Sequence, residues 1–316
     1  TKPILETVAA ENRSTKRQKT GTGDVEGEKI GMQWMRRYDA SGLVPHYTYA
    51  SEVPEDLQKY FAQRERYFSR YSDPPGCLLD KEGWYSVTPE LIADQIAERC
   101  RCDTILDAFC GVGGNAIAFA KTCQRVIALD TSPVRLALAR HNAQIYGVAD
   151  RIEFILADYI AFAKAHLNLP HRTCNRQIDV IFLSPPWGGP SYLAGLTSES
   201  NDALSPPSGV TGGDTSTATE EDRHPSYSLS AIQPIDGPAL FKLSRRITSN
   251  IAYYLPRNTR LDEIARLLET SPITEIGNTQ SDISEHVEVE EEWMGSKLKA
   301  LTCYFGGLVA GQEVLF

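Results

Sequence analysis

Thr104-Ile-Leu-Asp-Ala-Phe-Cys110 runs into Gly111-Val-Gly113-Gly114-Asn115 and then into Ala116-Ile-Ala-Phe-Ala-Lys121. A short apolar run, a glycine-rich turn and a helix start compose a nucleotide-binding unit, because glycines admit positive φ and let a ligand approach the backbone. The helix start favours negative charge near it. The next apolar run, Arg125-Val-Ile-Ala-Leu-Asp130, ends in an acid 19 positions after Gly111. At the tip of a second strand such an acid accepts hydrogen bonds from ribose hydroxyls. Further apolar runs at 152–157 and 179–183 make residues 104–183 read β-α-β-α-β-α-β. That alternation belongs to an α/β chain with a parallel, doubly wound, Rossmann-like sheet, whose ligands sit outside the C-terminal ends of the strands.

The fourth run ends in Ser184-Pro185-Pro186-Trp187-Gly188-Gly189. The two prolines fix φ and remove two donors, so the carbonyls of this elbow are acceptors without competing N–H groups. A ring beside a row of carbonyls stacks a flat heterocycle while accepting hydrogen bonds from its exocyclic amine. Methylating an –NH2 group on a base needs that geometry. Taken alone, the segment also reads as a Pro-rich loop capping a strand. The spacing Asp107-x3-Gly111-x-Gly113 departs from G-x-G-x-x-G, and an acid before the glycines suits a cationic amino-acid head better than a pyrophosphate. It points to S-adenosylmethionine and away from a dinucleotide. Asp158 and Tyr159 follow the third strand, an acid and a ring for an adenine amine and face. Each aspartate alone reads equally as a helix cap, Asp130 before Thr131-Ser132-Pro133 included. Cys110 reads as a small packing residue in the loop.

The chain has 316 residues, is 41 % apolar and carries a net charge of −9. It is long enough for a full α/β core with an appendage. No apolar run approaches a membrane span and no signal peptide is evident, so a soluble intracellular protein with no membrane partner is expected. Seven cysteines without a C-x-x-C, and a Cys100-Arg101-Cys102 too tight for a zinc knuckle, predict reduced thiols and no metal. The acidic balance argues against coating long nucleic acid. A local basic patch, at 59–70 or at Lys242-Leu-Ser-Arg245-Arg246, still suits a small anion such as an RNA 5′ end.

Residues 1–53 read as a flexible polar lead in which Lys16-Arg-Gln-Lys19 is a candidate nuclear-targeting cluster. Residues 54–98 read as a helical extension. Within it Leu57, Tyr60, Phe61, Arg64, Tyr67 and Phe68 have helical spacing over 54–71, and Thr88 caps a helix with Pro89 in its first turn and Leu91, Ile92 and Ile96 facing inward. The methyltransferase core spans 99–311, with a flexible insertion at 193–233 rich in Ser, Thr, Gly, Pro and Asp. A helix at 238–250, a strand at 251–256, a helix at 261–268 and strands near 273–276 and 299–305 complete a seven-stranded sheet. Residues 312–316 read as a tag remnant.

With these segments assembled, the chain resembles the trimethylguanosine synthase family, the RNA cap guanine-N2 methyltransferases. The resemblance covers about residues 59–306. It rests on Glu82-Gly-Trp-Tyr-Ser-Val-Thr-Pro-Glu90, Asp107-Ala-Phe-Cys-Gly-Val-Gly-Gly-Asn115, Leu183-Ser-Pro-Pro-Trp-Gly-Gly-Pro190 and Tyr254-Leu-Pro-Arg-Asn258. It implies a class I S-adenosylmethionine-dependent methyltransferase fold with an N-terminal helical extension. It also implies transfer of two methyl groups, in successive steps, to N2 of 7-methylguanosine caps on small nuclear and nucleolar RNAs. The nucleus, with its nucleolus or Cajal-body-like compartments and some cytoplasm, is the expected location, and snRNP or snoRNP proteins the expected partners. On these segments, cofactor contacts fall to Thr88, Glu90, Asp107, Phe109, Cys110, Gly111, Asn115, Asp130, Asp158, Tyr159 and Ser184. Catalysis falls to Ser184, Pro185, Pro186 and Trp187, and substrate binding to Trp187, Arg257 and Asn258. In this reading Ser184 and Pro185 carbonyls grip the amine, Trp187 stacks the cationic base and Arg257 meets the cap phosphates. Other readings left open are an adenine-N6 or ribosomal guanine methyltransferase and a catalytically idle RNA-binding module.

Overall fold

The computed structural model describes residues 38–169, 177–188, 226–270 and 285–311. Contacts divide the chain after Asp39, and everything below concerns the unit that begins at Ala40. Its sheet has the order β3-β2-β1-β4-β5-β7-β6. The strands are β1 (Thr104–Asp107), β2 (Arg125–Asp130), β3 (Ile152–Leu156), β4 (Val180–Leu183), β5 (Ile251–Pro256), β6 (Glu288–Met294) and β7 (Lys297–Phe305). The first five are parallel, and β7 runs antiparallel between β5 and β6. The order reverses between β1 and β4, so a crevice opens at the C-terminal ends of those strands.

Strand residues alternate between two buried layers, as the period of two requires. Ile105, Val126, Ala128, Phe182, Ala252 and Tyr254 share one core with α2 (Glu90–Arg99), α3 (Gly114–Thr122) and α4 (Pro133–Ile145). Leu106, Ile127, Leu129, Leu183, Tyr253 and Leu255 share the other with α5 (Tyr159–Leu167), α6 (Gly237–Arg245) and α7 (Leu261–Thr270). A sheet buried on both faces explains why its central strands are almost wholly apolar. Among the described residues no helix is long and apolar enough to cross a membrane.

The extension departs from the sequence reading. The helix expected over 54–71 is broken into a 3-10 turn at Glu55–Leu57 and single turns at Gln58–Phe61 and Arg64–Tyr67. Phe61, Tyr71 and Trp84 pack with ring centroids 5.7 to 6.3 Å apart. Burial of those rings sets the spacing, and a broken chain achieves it as well as a helix does. A short helix, α1 (Lys81–Ser86), is capped by Asp80. α2 begins after Pro89, not after a Thr88 cap, and Leu91 is 83 % exposed while Ile92 and Ile96 turn inward. The expected boundary at 53 lies inside the folded unit. Ala40 and Val53 are buried, and Ala40 N donates to Nδ1 of His141. Asn142 fastens the same region. Its Oδ1 accepts from Leu78 N (2.8 Å), and its Nδ2 donates to the carbonyls of Leu78 and Val112 (2.9 Å each).

Three further boundaries shift. The insertion expected to 233 ends earlier, because Tyr227, Leu229 and Ile232 are buried and Tyr227 bridges to Thr259. α6 stops at Arg245, after an Asp236 cap, instead of reaching 250. The strand expected near 273–276 lies outside the described residues, as do 312–316, whereas the acidic run around Glu290 forms β6. That run is tolerated at a sheet edge because Glu288 pairs with Arg99 (2.9 Å) and Glu292 accepts from Thr302 Oγ1.

Candidate active site

The glycine turn between β1 and α3 needs its glycines for two different reasons. Gly111 has φ +52° and Gly113 φ +92°, and a Cβ on Gly113 would lie 3.0 Å from that of Ala139. Cys110 N donates to Leu129 O (2.8 Å), which ties the turn to the end of β2. Asp130, at that end, accepts from Gly111 N (3.1 Å) and Ser132 N (2.7 Å). Arg135 reaches Asp130 (3.9 Å) and Asp80 (3.2 Å) and pairs with Glu82, so it links the acid to α1. Ser132, not Asp130, caps α4.

A cavity of about 680 Å³ opens over this turn. Phe109, Cys110, Gly111, Asn115 and Asp130 line it from the glycine turn and the end of β2, and Ser184, Pro185, Pro186 and Trp187 from the elbow after β4. Lys59, Tyr60, Tyr85 and Thr88 enter from the extension, and Tyr254, Arg257, Lys297 and Lys299 from the antiparallel side of the sheet. Asn115 is buried, gives its amide N–H to Thr88 Oγ1 (3.0 Å), and its Oδ1 has no hydrogen-bond partner among the described residues. Asp107, fully buried beneath the turn, holds Phe109 N with one oxygen (3.4 Å) and leaves Oδ2 without a partner among the described residues. Burial pushes its carboxyl up to about 7. Two acceptors without donors beside a glycine turn fit a ligand carrying a cationic amine.

At the elbow, Ser184 Oγ donates to Phe109 O (3.4 Å) and Tyr227 OH to Trp187 O (3.5 Å). Neither the Ser184 nor the Pro185 carbonyl accepts a hydrogen bond among the described residues. Trp187 is half-buried against Tyr254, with centroids 5.3 Å apart and planes at 31°.

Residues 102–209 and 203–308 match the family model described as RNA cap guanine-N2 methyltransferase. The trimethylguanosine synthase of Schizosaccharomyces pombe is 37 % identical over 219 residues, 67 % of this chain and 76 % of that protein. The chain belongs to the RNA cap guanine-N2 methyltransferase family. A second relative, the trimethylguanosine synthase of Saccharomyces cerevisiae, is 31 % identical over 66 % of this chain and 58 % of its own length. A solved structure described as a methyltransferase from Porphyromonas gingivalis W83 superposes with a TM-score of 0.51 at 12 % identity, over 90 % of this chain and 59 % of that one, and supports the class I methyltransferase fold.

Of the residues expected at this site, Glu90, Asn258 and Asp107 lie off the cavity wall, while Asp158 and Tyr159 line it. Glu90 is turned away from the cavity, accepting from Ser69 N and Tyr146 OH (2.7 Å) and pairing with Lys121 (3.3 Å). Asn258 does not line the cavity either, and its carbonyl accepts from Tyr227 N (2.8 Å). Asp107 lies one layer behind the wall. Asp158 lines the cavity while its Oδ1 caps α5, accepting from Ala161 N (2.8 Å). Tyr159 also lines the cavity but is almost wholly buried, with its hydroxyl 2.6 Å from Ser244 Oγ and its ring packed on Phe109 (5.7 Å). Phe109, half-buried on the wall, is therefore the available ring face at this end. Sequence reasoning did not single out Tyr254, Arg135, Lys297 or Lys299. Tyr254 had a signal, since it lies near the end of the apolar run 251–256, but the others are ordinary cations until the chain folds.

Proposed function

We propose that this family member transfers methyl groups from S-adenosylmethionine to the exocyclic N2 of 7-methylguanosine RNA caps. Two successive transfers would give 2,7-dimethyl and then 2,2,7-trimethylguanosine on small nuclear and nucleolar RNAs, in the nucleus. One observation carries the reading. An indole packed on Tyr254 follows two carbonyls that accept no hydrogen bond among the described residues, and this elbow lines one cavity with the glycine turn and Asp130.

S-adenosylmethionine, when bound, supplies a methyl group on a sulfonium. Asn115 Oδ1, with Asp107 behind it, would receive the cationic amino-acid head, Asp130 the ribose hydroxyls, and Phe109 with Asp158 the adenine. The guanine 2-amino nitrogen is a poor nucleophile because its lone pair is delocalised into the ring. Accepting its hydrogens at the Ser184 and Pro185 carbonyls would orient that nitrogen, so acceleration comes mainly from holding the reacting atoms about 3 Å apart. The N-methylated nitrogen then loses its proton, which leaves readily because the product cation is strongly acidic. Trp187 supplies selectivity. A 7-methylguanine carries a delocalised positive charge, and an indole face is worth roughly 0.5–2 kcal/mol to a cation.

Mass spectrometry of m7GpppG and GpppG after incubation with S-adenosylmethionine tests this reading. A gain of one and then two methyl groups on m7GpppG alone is expected. Equal methylation of GpppG, or none of m7GpppG under single-turnover conditions, would remove it.

A further inference from the structure

The last pair of the β5–β7 ladder is Pro256 with Ala300, so Arg257, the first residue past β5, comes opposite Lys299 of β7. Like charges opposite each other across two strands are destabilising. Lys297 lies two residues further along β7, on the same face as Lys299. Arg66, from the extension, is within electrostatic reach of them: burial first, and then the cations Lys297, Arg66 and Arg257, hold the Lys299 ammonium below its usual range.

None of these four cations has a carboxylate partner among the described residues, although the chain holds 41 acids against 32 Lys and Arg. Other cations of the fold do meet carboxylates, among them Arg99 with Glu288, Arg125 with Glu153 and Arg245 with Glu285. What sets this cluster apart is that Arg257, Lys297 and Lys299 line one cavity together. A cluster left unneutralised in an acidic protein, at the rim of a cavity built for a base, is complementary to a polyanion that begins at that cavity.

We propose that Arg66, Lys297 and Lys299 form a second anion subsite, beyond Arg257, that holds the ribose-phosphate backbone of the RNA following its cap. The inference rests on the cap-methylation reading, since that reading places the 5′ end of the chain in the cavity. Arg66 and Lys297 are exposed and Lys299 is half-buried, in the order expected of a track leading outward.

The test uses the full chain with Arg66→Gln and Lys297→Gln combined, two exposed positions whose replacement leaves no buried group unpaired. Methyl transfer is measured on m7GTP and on an m7G-capped ten-nucleotide RNA, and binding of the labelled RNA by anisotropy across a salt series. The variant should lose about ten-fold in kcat/KM on the capped RNA and several-fold less on m7GTP. Its plot of log Kd against log salt should flatten by about 1.4, at about 0.7 for each lost single-strand contact. Equal losses on both substrates would place these cations on the cap phosphates instead, and no loss on either would remove the subsite. If the unaltered protein methylates neither substrate, the cap reading fails by itself, while the salt series still decides whether the cations hold RNA.

Discussion

Trp187 is held in place, because Tyr254 packs on its ring and Tyr227 OH donates to its carbonyl. Trp187→Ala should lower kcat/KM on m7GpppG by about 30-fold or more, the equivalent of about 2 kcal/mol of cation and ring contact. Titration calorimetry with S-adenosylhomocysteine should find affinity within about two-fold, and turnover that survives the substitution would end the stacking assignment. Asp107 makes a different kind of prediction. Its folded carboxyl is pushed up to about 7 by burial, from a usual value of 3.8. A raised acid binds its proton more tightly when folded, so stability should fall as pH climbs from about 4 to 7 and stay low above that. At about 1.36 kcal/mol per unit the effect is of order 4 kcal/mol. Melting curves of the protein and of Asp107→Asn should therefore diverge with rising pH in favour of the asparagine, and parallel curves would show that burial does not strain this acid. Asp107 was legible as a residue of the loop, but its depth was not, since nothing local to 104–115 says which side of the turn is covered.

α4 acts as the peg on which the extension hangs. His141 accepts from Ala40 N at Nδ1 and so donates through Nε2 to Gly76 O (2.9 Å), while Asn142 satisfies both backbone groups of Leu78 and the carbonyl of Val112. Asn142→Ala leaves three buried backbone groups unpaired, each costing about 1–3 kcal/mol. Urea unfolding should therefore show a loss of about 3 kcal/mol or more, whereas a loss under 1 kcal/mol would mean that water replaces the clamp. The extension supplies Lys59, Tyr60, Tyr85 and Thr88 to the cavity, so this peg sets the shape of the site as well as its stability. The element-scale errors share one cause. Apolar spacing reports burial, and at 54–71 burial was achieved by broken turns around Trp84, just as the acidic run at 288–294 became a strand because Arg99 and Thr302 receive its carboxylates.

The whole chain is acidic, with a net charge of −9, yet Arg257 lines the cavity beside Lys299 and pairs with no carboxylate among the described residues. Arg257→Ala should raise KM for m7GTP by about ten-fold and for 7-methylguanosine by far less, and added salt should shrink the difference because exposed charges are screened within about 10 Å at 0.1 M. Equal effects on the nucleotide and the nucleoside would show that Arg257 does not meet phosphate. The strand runs, the Asp-x3-Gly-x-Gly turn, the acid after β2 and the Ser-Pro-Pro-Trp elbow were readable from the chain alone, because apolar period, glycine spacing and proline chemistry act over a few residues. Whether Glu90 faces the cavity, which ring at 109 or 159 is the more exposed, and how Lys297, Lys299 and Arg257 come to line one cavity were decided only in three dimensions. Those outcomes depend on register and packing between segments up to more than 200 residues apart, and no local pattern carries the sign or the depth of a neighbour that far away.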